Sequence, residues 1–201
     1  AQKDPDNRWL SRMPMRRMDA EEVRDTLIHI GGKLNKTPFG PPDPVNVASD
    51  GLVTAIAQQG AWRRSVYLRQ RRKEMPTLLE TFDLPQMNPA CQVRPKSIVP
   101  QQALYLMNNA SIRQLSELFA KRAEKETTGM EEQIQWIYQT ALSRSATIRE
   151  LELGRSTLTR LQETWRTHLK TENLPILNAP HLALKTYCHT LMNSAAFLYI
   201  D

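Results

Sequence analysis

The densest chemistry in the sequence lies in Trp62–Lys73 (WRRSVYLRQRRK). Arg63, Arg64, Arg69, Arg71, Arg72 and Lys73 fall together there with no acid among them. Guanidinium groups at this density suit an anion: phosphate, sulfate, a carboxylated polysaccharide or nucleic acid. Trp62 and Tyr67 would add stacking platforms. The competing reading is structural, with these arginines pairing Asp19, Glu22, Asp25, Glu80 or Asp83 and tying loops to helices. It is the stronger one, because a buried arginine needs a carboxylate and the sequence supplies several. Strand alternation puts Arg64 on the face of Trp62 and Val66, so Arg64 is the arginine expected to need a partner if buried. Arg16-Arg17 forms a smaller basic cluster.

Other reactive groups are sparse. Asp83 stands as a lone carboxylate in FDLPQMNPAC, and a glycosidase needs a second carboxyl across a cleft that no spacing selects. Asp19, Glu21, Glu22 and Asp25 cluster at a helix start, where acids favour the dipole. The four histidines make no H-x-x-x-H pair, and His181 and His189 lie two turns apart, so no metal site is expected. Cys188-His189 lacks the first cysteine of a C-x-x-C-H haem motif, since Lys185 occupies that position. Neighbouring helical residues point about 100° apart, so His189 is no base for Cys188. Cys188 reads as core and His189 as a polar residue at its rim. In an oxidising compartment Cys91 and Cys188 could close a disulfide loop of ~100 residues, and in a reducing one both stay thiols. No Walker loop, G-x-G-x-x-G or G-x-S-x-G elbow is present, and no cofactor is expected on this chain.

The elements that position these groups follow from the punctuation. The 201 residues contain only 7 Gly but 13 Pro, and eleven of those prolines lie at or before Pro100. Ordinary apolar and charged shares of 40% and 24% exclude a disordered or fibrous chain. No apolar run reaches the ~20 residues of a membrane span, and the first residues show no signal-peptide core. A single domain over 1–201 is expected, with a loop-rich half (1–99) holding one clear helix and a helical half (100–201).

That first helix starts at Asp19, where Asp19 and Glu22 resemble a capping box, and carries Val23, Leu27 and Ile30 until Gly31-Gly32 stops it. Residues 35–50 read as an irregular loop, Trp62–Arg69 as a short strand, and Pro76–Phe82 as a short helix. Pro100 opens a helix over 100–108. Ser111 caps the next, with Ile112, Leu115, Leu118 and Phe119 as its stripe. Ile134, Ile137, Tyr138, Ala141 and Leu142 mark another. Thr147 and Glu150 cap one carrying Leu151, Leu158, Leu161 and Trp165, and the last spans about His181–Ser194, with Leu184, Tyr187, Cys188, Leu191 and Ala195 on one face. The fold class is mainly α: a Pro-rich half, with room for one short β hairpin or strand, packed on a bundle of about four helices.

In this frame five segments stand in order: RRMDAEEVRDTL (Arg16–Leu27), RRSVYL (Arg63–Leu68), LLETFDLPQMNPACQVRPKSIVPQQALYLMN (Leu78–Asn108), ALSRSATIRE (Ala141–Glu150) and YCHTLMNSAAFLYID (Tyr187–Asp201). Together they resemble the planctomycete-specific C-terminal domain of unknown function found in large, cytochrome-c-associated planctomycete proteins. The family's recurrent positions fall on Arg16, Arg17, Asp19, Arg24, Asp25, Arg63, Arg64 and Ser65. They continue through Phe82, Asp83, Cys91, Arg94, Ser97, Pro100, Gln102, Ala103, Leu104 and Asn108 to Arg144, Thr147, Glu150, His189, Asn193, Ser194, Phe197 and Leu198. The chain departs from the pattern at Ser145-Ala146, where a Pro is common, and at Ala195-Ala196, where Asn-Glu is common. The resemblance implies a domain closing an exported, extracytoplasmic protein, with haem bound only by an upstream domain.

The expected function is a non-catalytic C-terminal module that docks upstream domains of its own polypeptide or binds an anionic polymer. Arg63, Arg64, Arg69, Arg71, Arg72 and Arg94 are its binding candidates. One alternative is an enzyme or enzyme subunit acting on extracellular polysaccharide, with Asp83, Arg94 and His189 brought together by the fold. Another, a nucleic-acid-binding domain, is disfavoured. The six basic residues of Trp62–Lys73 equal the whole net charge of +6, so basicity belongs to one segment.

Overall fold

Residues 4–85, 93–94 and 96–200 are described in a computed structural model of the chain. The mainly α class is shown, with eight α-helices and a few strands of two or three residues among the described residues. No helix among them is long and apolar enough to cross a membrane.

Strand β1 (Arg16–Arg17) pairs antiparallel with β6 (Tyr199–Ile200), and this brings the two ends of the described chain together. Helix α1 (Ala20–Ile30) follows, with Asp19 as N-cap, whose backbone N–H donates to the Glu22 carboxylate at 2.8 Å. Its stop is the expected one. Gly32 takes φ +69°, which a side chain resists, and the Arg122 side chain packs against the space a Cβ would fill. Arg122 also donates to the carbonyls of His29 and Ile30, satisfying the end of α1 from a distant helix.

Two readings of the first half are corrected. The segment 35–50 is not wholly irregular: β3 (Val45–Val47) and β4 (Val53–Ala55) form a hairpin closed around Asp50-Gly51, with Gly51 at φ +84°. Short β2 (Leu34–Asn35) pairs parallel with β5 (Trp62–Arg63). The strand expected over Trp62–Arg69 ends after Arg63, and Ser65–Tyr67 form a 3-10 turn. The physical cause is Asp25, which accepts from both the N–H and the hydroxyl of Ser65 at 2.7 Å and turns the chain there. Helix α2 (Thr77–Thr81) completes this half.

The helical half comprises α3 (Pro100–Asn108), α4 (Ala110–Glu126), α5 (Met130–Leu142), α6 (Ile148–Thr171), α7 (Ala179–Met192) and the single turn α8 (Ala195–Leu198). Asn109, not Ser111, caps α4; its side chain accepts from the Ser111 N–H at 2.9 Å. Thr147 and Glu150 form the reciprocal capping box of α6. Helix α7 starts two residues earlier than expected, with Pro180 in its first turn, and Ala195 leaves its face to open α8. Helix α7 packs chiefly on α4 and α6. One cluster of buried apolar side chains joins Val23 and Leu27 of α1, Leu79, Phe82, Phe119, Ile134, Leu158, Cys188 and Phe197.

Helix α6 approaches its neighbours closely at Gly154. A Cβ there would sit 2.9 Å from both Ile134 Cδ1 and the Tyr187 hydroxyl. Overpacking of this kind costs about 1–3 kcal/mol, so Gly154→Val is expected to lower the melting temperature although it removes a mid-helix glycine. An unchanged or higher melting point would show that the helices separate without cost.

Acid sensitivity is expected from two carboxylates. Lys121 and Lys185 hold Glu117 down to about 2, and Arg144 does the same for Glu150. Both lie below the ordinary value of 4.5, so the unfolded chain binds more protons than the native one in between. Their contribution is complete above about pH 4.5 and is lost as pH falls toward 2. The double variant Glu117→Gln/Glu150→Gln should show a flatter acid limb of stability in urea. A limb as steep as that of the parent protein would contradict this.

Candidate functional site

The arginines of the sequence reading divide into ties and surface groups. Arg63 is buried and grips its own loop: Nε and Nη2 donate to Asp43 Oδ1 at 2.9 and 2.7 Å, and Nη1 to the Phe39 carbonyl at 2.7 Å. Nη2 also reaches the Pro41 carbonyl, and the guanidinium lies 4.8 Å from the Tyr67 ring centroid. Arg64 instead faces solvent, 3.5 Å from Asp25. This inverts the alternation argument, because the strand ends before it can place Arg64 beside Val66, which is itself exposed. Arg94 is bidentate to Glu21 at 2.7 and 2.9 Å. Arg71 lies near Glu74, while Arg72 and Lys73 are exposed and Arg69 is half-buried. The basic run is therefore partly neutralised from within, and Arg63 and Arg94 do not line an open groove.

Two further arginines are buried, Arg17 from the smaller basic cluster and Arg24, which only the family resemblance singled out. Arg17 donates from Nη2 to Asp83 at 2.6 Å and from Nη1 to Gln102 Oε1 at 3.0 Å and the Ser97 carbonyl. Ser97 donates to Asp83 from both its N–H and its hydroxyl. Burial pushes the Asp83 carboxyl up, yet Arg17 and Ser97 more than offset it and hold the group below its usual range. Asp83 thus acts as an acceptor that joins β1, α2 and α3. Arg24 donates from Nη1 to the Arg63 carbonyl at 3.0 Å, to Ser65 Oγ at 3.2 Å and to Asp25 at 3.3 Å. A helical wheel shows the signal that finds Arg24: it lies four residues after Ala20 and three before Leu27, on the buried stripe of α1.

His189 sits elsewhere, on α7, with Nε2 2.9 Å from the Leu106 carbonyl. It borders a groove of about 570 Å³ with Arg113, Trp165, Lys185 and Asn193. Asp83, Arg94 and His189 each bond to different partners, Asp83 to Arg17 and Ser97, Arg94 to Glu21 and His189 to the Leu106 carbonyl. Cys188 is a free thiol, fully buried, and burial pushes it well up from its ordinary value. Cys91 lies outside the described residues. Among the described residues no three His, Cys, Asp or Glu side chains form a metal-sized group.

A second cavity, of about 70 Å³, lies between α1, the hairpin and α3–α4. Arg24, Val53, Ala55, Trp62, Tyr105 and Ile112 are among its walls. Burial raises the Tyr105 phenol to about 12, against the opposing charge of Arg24, so it is protonated at neutral pH.

A helical module braced by buried arginines is the class these features define. The chain belongs to the PSD1 family, described as a protein of unknown function (DUF1553), whose model matches residues 1–158. That stretch contains the three arginine ties and ends within α6; the motif Tyr187–Asp201 lies beyond it. No curated protein and no solved structure matches the chain.

Removing one partner of a buried pair strands the other charge, at a cost of about 3–5 kcal/mol. Asp43→Ala is expected to lose stability on that scale in chemical denaturation. Arg72→Ala and Lys73→Ala should change it by less than about 0.5 kcal/mol. The reverse ranking would refute the assignment of Arg63 as a tie.

Proposed function

We propose that this chain is a non-catalytic docking module that closes an exported multi-domain protein of planctomycete type and holds the preceding part of the same polypeptide. The upstream region would carry the cytochrome-c-like, haem-binding domain that the sequence resemblance implies. The carrying observation is how residues 4–15 display apolar side chains. Asp4 accepts from the N–H groups of Arg8 and Trp9 and from the Ser11 hydroxyl, and its carbonyl accepts from Arg12. This self-bonded loop leaves Trp9 77% and Leu10 81% exposed, with Leu10 at φ +53°, a region a bulky residue avoids. Local strain together with exposed apolar surface supports a binding role rather than a folding one. Beyond the loop, Met15 and Ile98 are 70% and 84% exposed and line one depression of about 240 Å³ beside Tyr199.

The preceding polypeptide is favoured as occupant because it must enter through residue 4 and so is tethered beside this surface at high effective concentration. Binding of an anionic polymer draws less support, since Arg63, Arg64, Arg71 and Arg94 each have a carboxylate nearby. The polysaccharide-enzyme reading draws less support, since Asp83 and Arg94 are each held in an ion pair within the chain.

Hydrogen exchange on the natural full-length polypeptide, compared with the 1–201 chain, tests this directly. Amides of residues 8–15 and 96–99 should exchange more slowly in the longer protein, and Trp9→Ser/Leu10→Ser should abolish the difference. Equal exchange in the two proteins would sink the docking assignment.

A further inference from the structure

We propose that the loop Thr37–Asp43, with the cations beside it, is a peripheral membrane site whose Phe39 ring enters the headgroup boundary of an anionic lipid bilayer. Phe39 is 81% exposed and takes φ +64°, a region a bulky side chain avoids. Buried Arg63 holds this turn, donating to the carbonyls of Phe39 and Pro41 and to Asp43. The loop is also tied to the segment after Arg63. The Asp43 N–H donates to the Tyr67 carbonyl at 2.8 Å, and the Arg69 N–H to the Asp43 carbonyl at 2.9 Å. The two segments run parallel where Asp43 meets Leu68, so Val66, itself 70% exposed, lies on the strand of chain alongside the loop.

The backbone of the loop suits lipid. An acyl boundary offers no partner to a bare N–H or carbonyl, so a segment that enters it must carry few of them. Pro38, Pro41 and Pro42 have no N–H to satisfy. The Thr37 N–H is taken by Asn35 Oδ1 at 2.9 Å, and that of Asp43 by Tyr67. Within the loop only the N–H groups of Phe39 and Gly40 lack a partner among the described residues. A loop that docked on a protein by strand addition would need those donors free along its length.

Charge selects the kind of lipid. Residues 26–73 hold eight lysines and arginines against two acids, a net charge of +6. Asp43 is spent on Arg63, and Asp25 is divided between Arg64 and buried Arg24. Lys36, Arg72 and Lys73 are exposed with no ion pair among the described residues. Lys36 and Arg64 directly follow the paired residues Asn35 and Arg63, which puts both at the base of the loop. One aromatic ring or a few cations alone bind a bilayer weakly, and together they give reversible attachment to anionic headgroups. The site shares no residue with the docking surface at residues 4–15 and does not rest on it.

The test is co-sedimentation of the 1–201 chain with phosphatidylcholine vesicles, with and without phosphatidylglycerol. The chain should bind the phosphatidylglycerol vesicles, less so as salt rises, and pure phosphatidylcholine at least about tenfold more weakly. Phe39→Ser should weaken binding by about tenfold or more, and Lys36→Ala/Arg64→Ala by a similar factor, each at the parent melting temperature. Phe39→Trp, which keeps an apolar tip, should add a blue-shifted emission on the vesicles that brominated lipids quench. Trp9→Ser/Leu10→Ser should bind as the parent does. No binding to phosphatidylglycerol vesicles, undiminished binding by Phe39→Ser, no spectral change in Phe39→Trp, or loss of binding in Trp9→Ser/Leu10→Ser would each overturn the proposal. Phe39-dependent binding of soluble polyglutamate, as tight as that of the vesicles, would also overturn it and assign the surface to an acidic protein.

Discussion

Three buried guanidinium groups set the terms for the first half of the molecule. An arginine removed from water needs acceptors, and helix interiors offer few because their carbonyls are already engaged. Loops can. Arg63 therefore collects Asp43 and the carbonyls of Phe39 and Pro41, and Arg17 collects Asp83, Gln102 and the Ser97 carbonyl. Arg24 takes the Arg63 carbonyl itself. Segments with little apolar surface of their own thereby acquire fixed positions on α1 and α3. Buried ion pairs add little net stability over apolar replacements, so their contribution here is to specify one arrangement of Pro-rich loops among many.

The helical half needs no such device, and it was the more legible in sequence. Asp19 with Glu22, Pro100, and Thr147 with Glu150 each mark a helix start by local chemistry, and the stripes of α5, α6 and α7 repeat at helical spacing. Local signals misled where two of them competed. Ser111 looked like a cap, yet Asn109 precedes it and accepts the Ser111 N–H itself. The hairpin over 45–55 hides in a Pro-rich run because its strands are three residues long, too short for alternation to show.

The candidate site was legible in residue type but not in geometry. Alternation along Trp62–Arg69 assumed a strand of eight residues, and a carboxylate forty positions earlier ends it after two. Asp25 thereby exchanges the roles of Arg63 and Arg64: the first is buried and the second faces solvent. Such partners lie 20 to 66 positions apart along the chain, and one sequence carries no record of that distance. The family match adds membership without chemistry, so argument about function rests on individual contacts.

Native proteins satisfy buried donors and keep bulky residues out of the left-handed region, and departures from these rules concentrate where a molecule acts. Here the two departures differ in direction. Leu10 is strained outward on a loop that Asp4 organises, a geometry that makes sense against a large surface. Arg24 Nη2 is unpartnered and enclosed by protein, as are Arg17 Nε and Arg69 Nε, and removing a donor from water in this way costs free energy that the surrounding ties must offset.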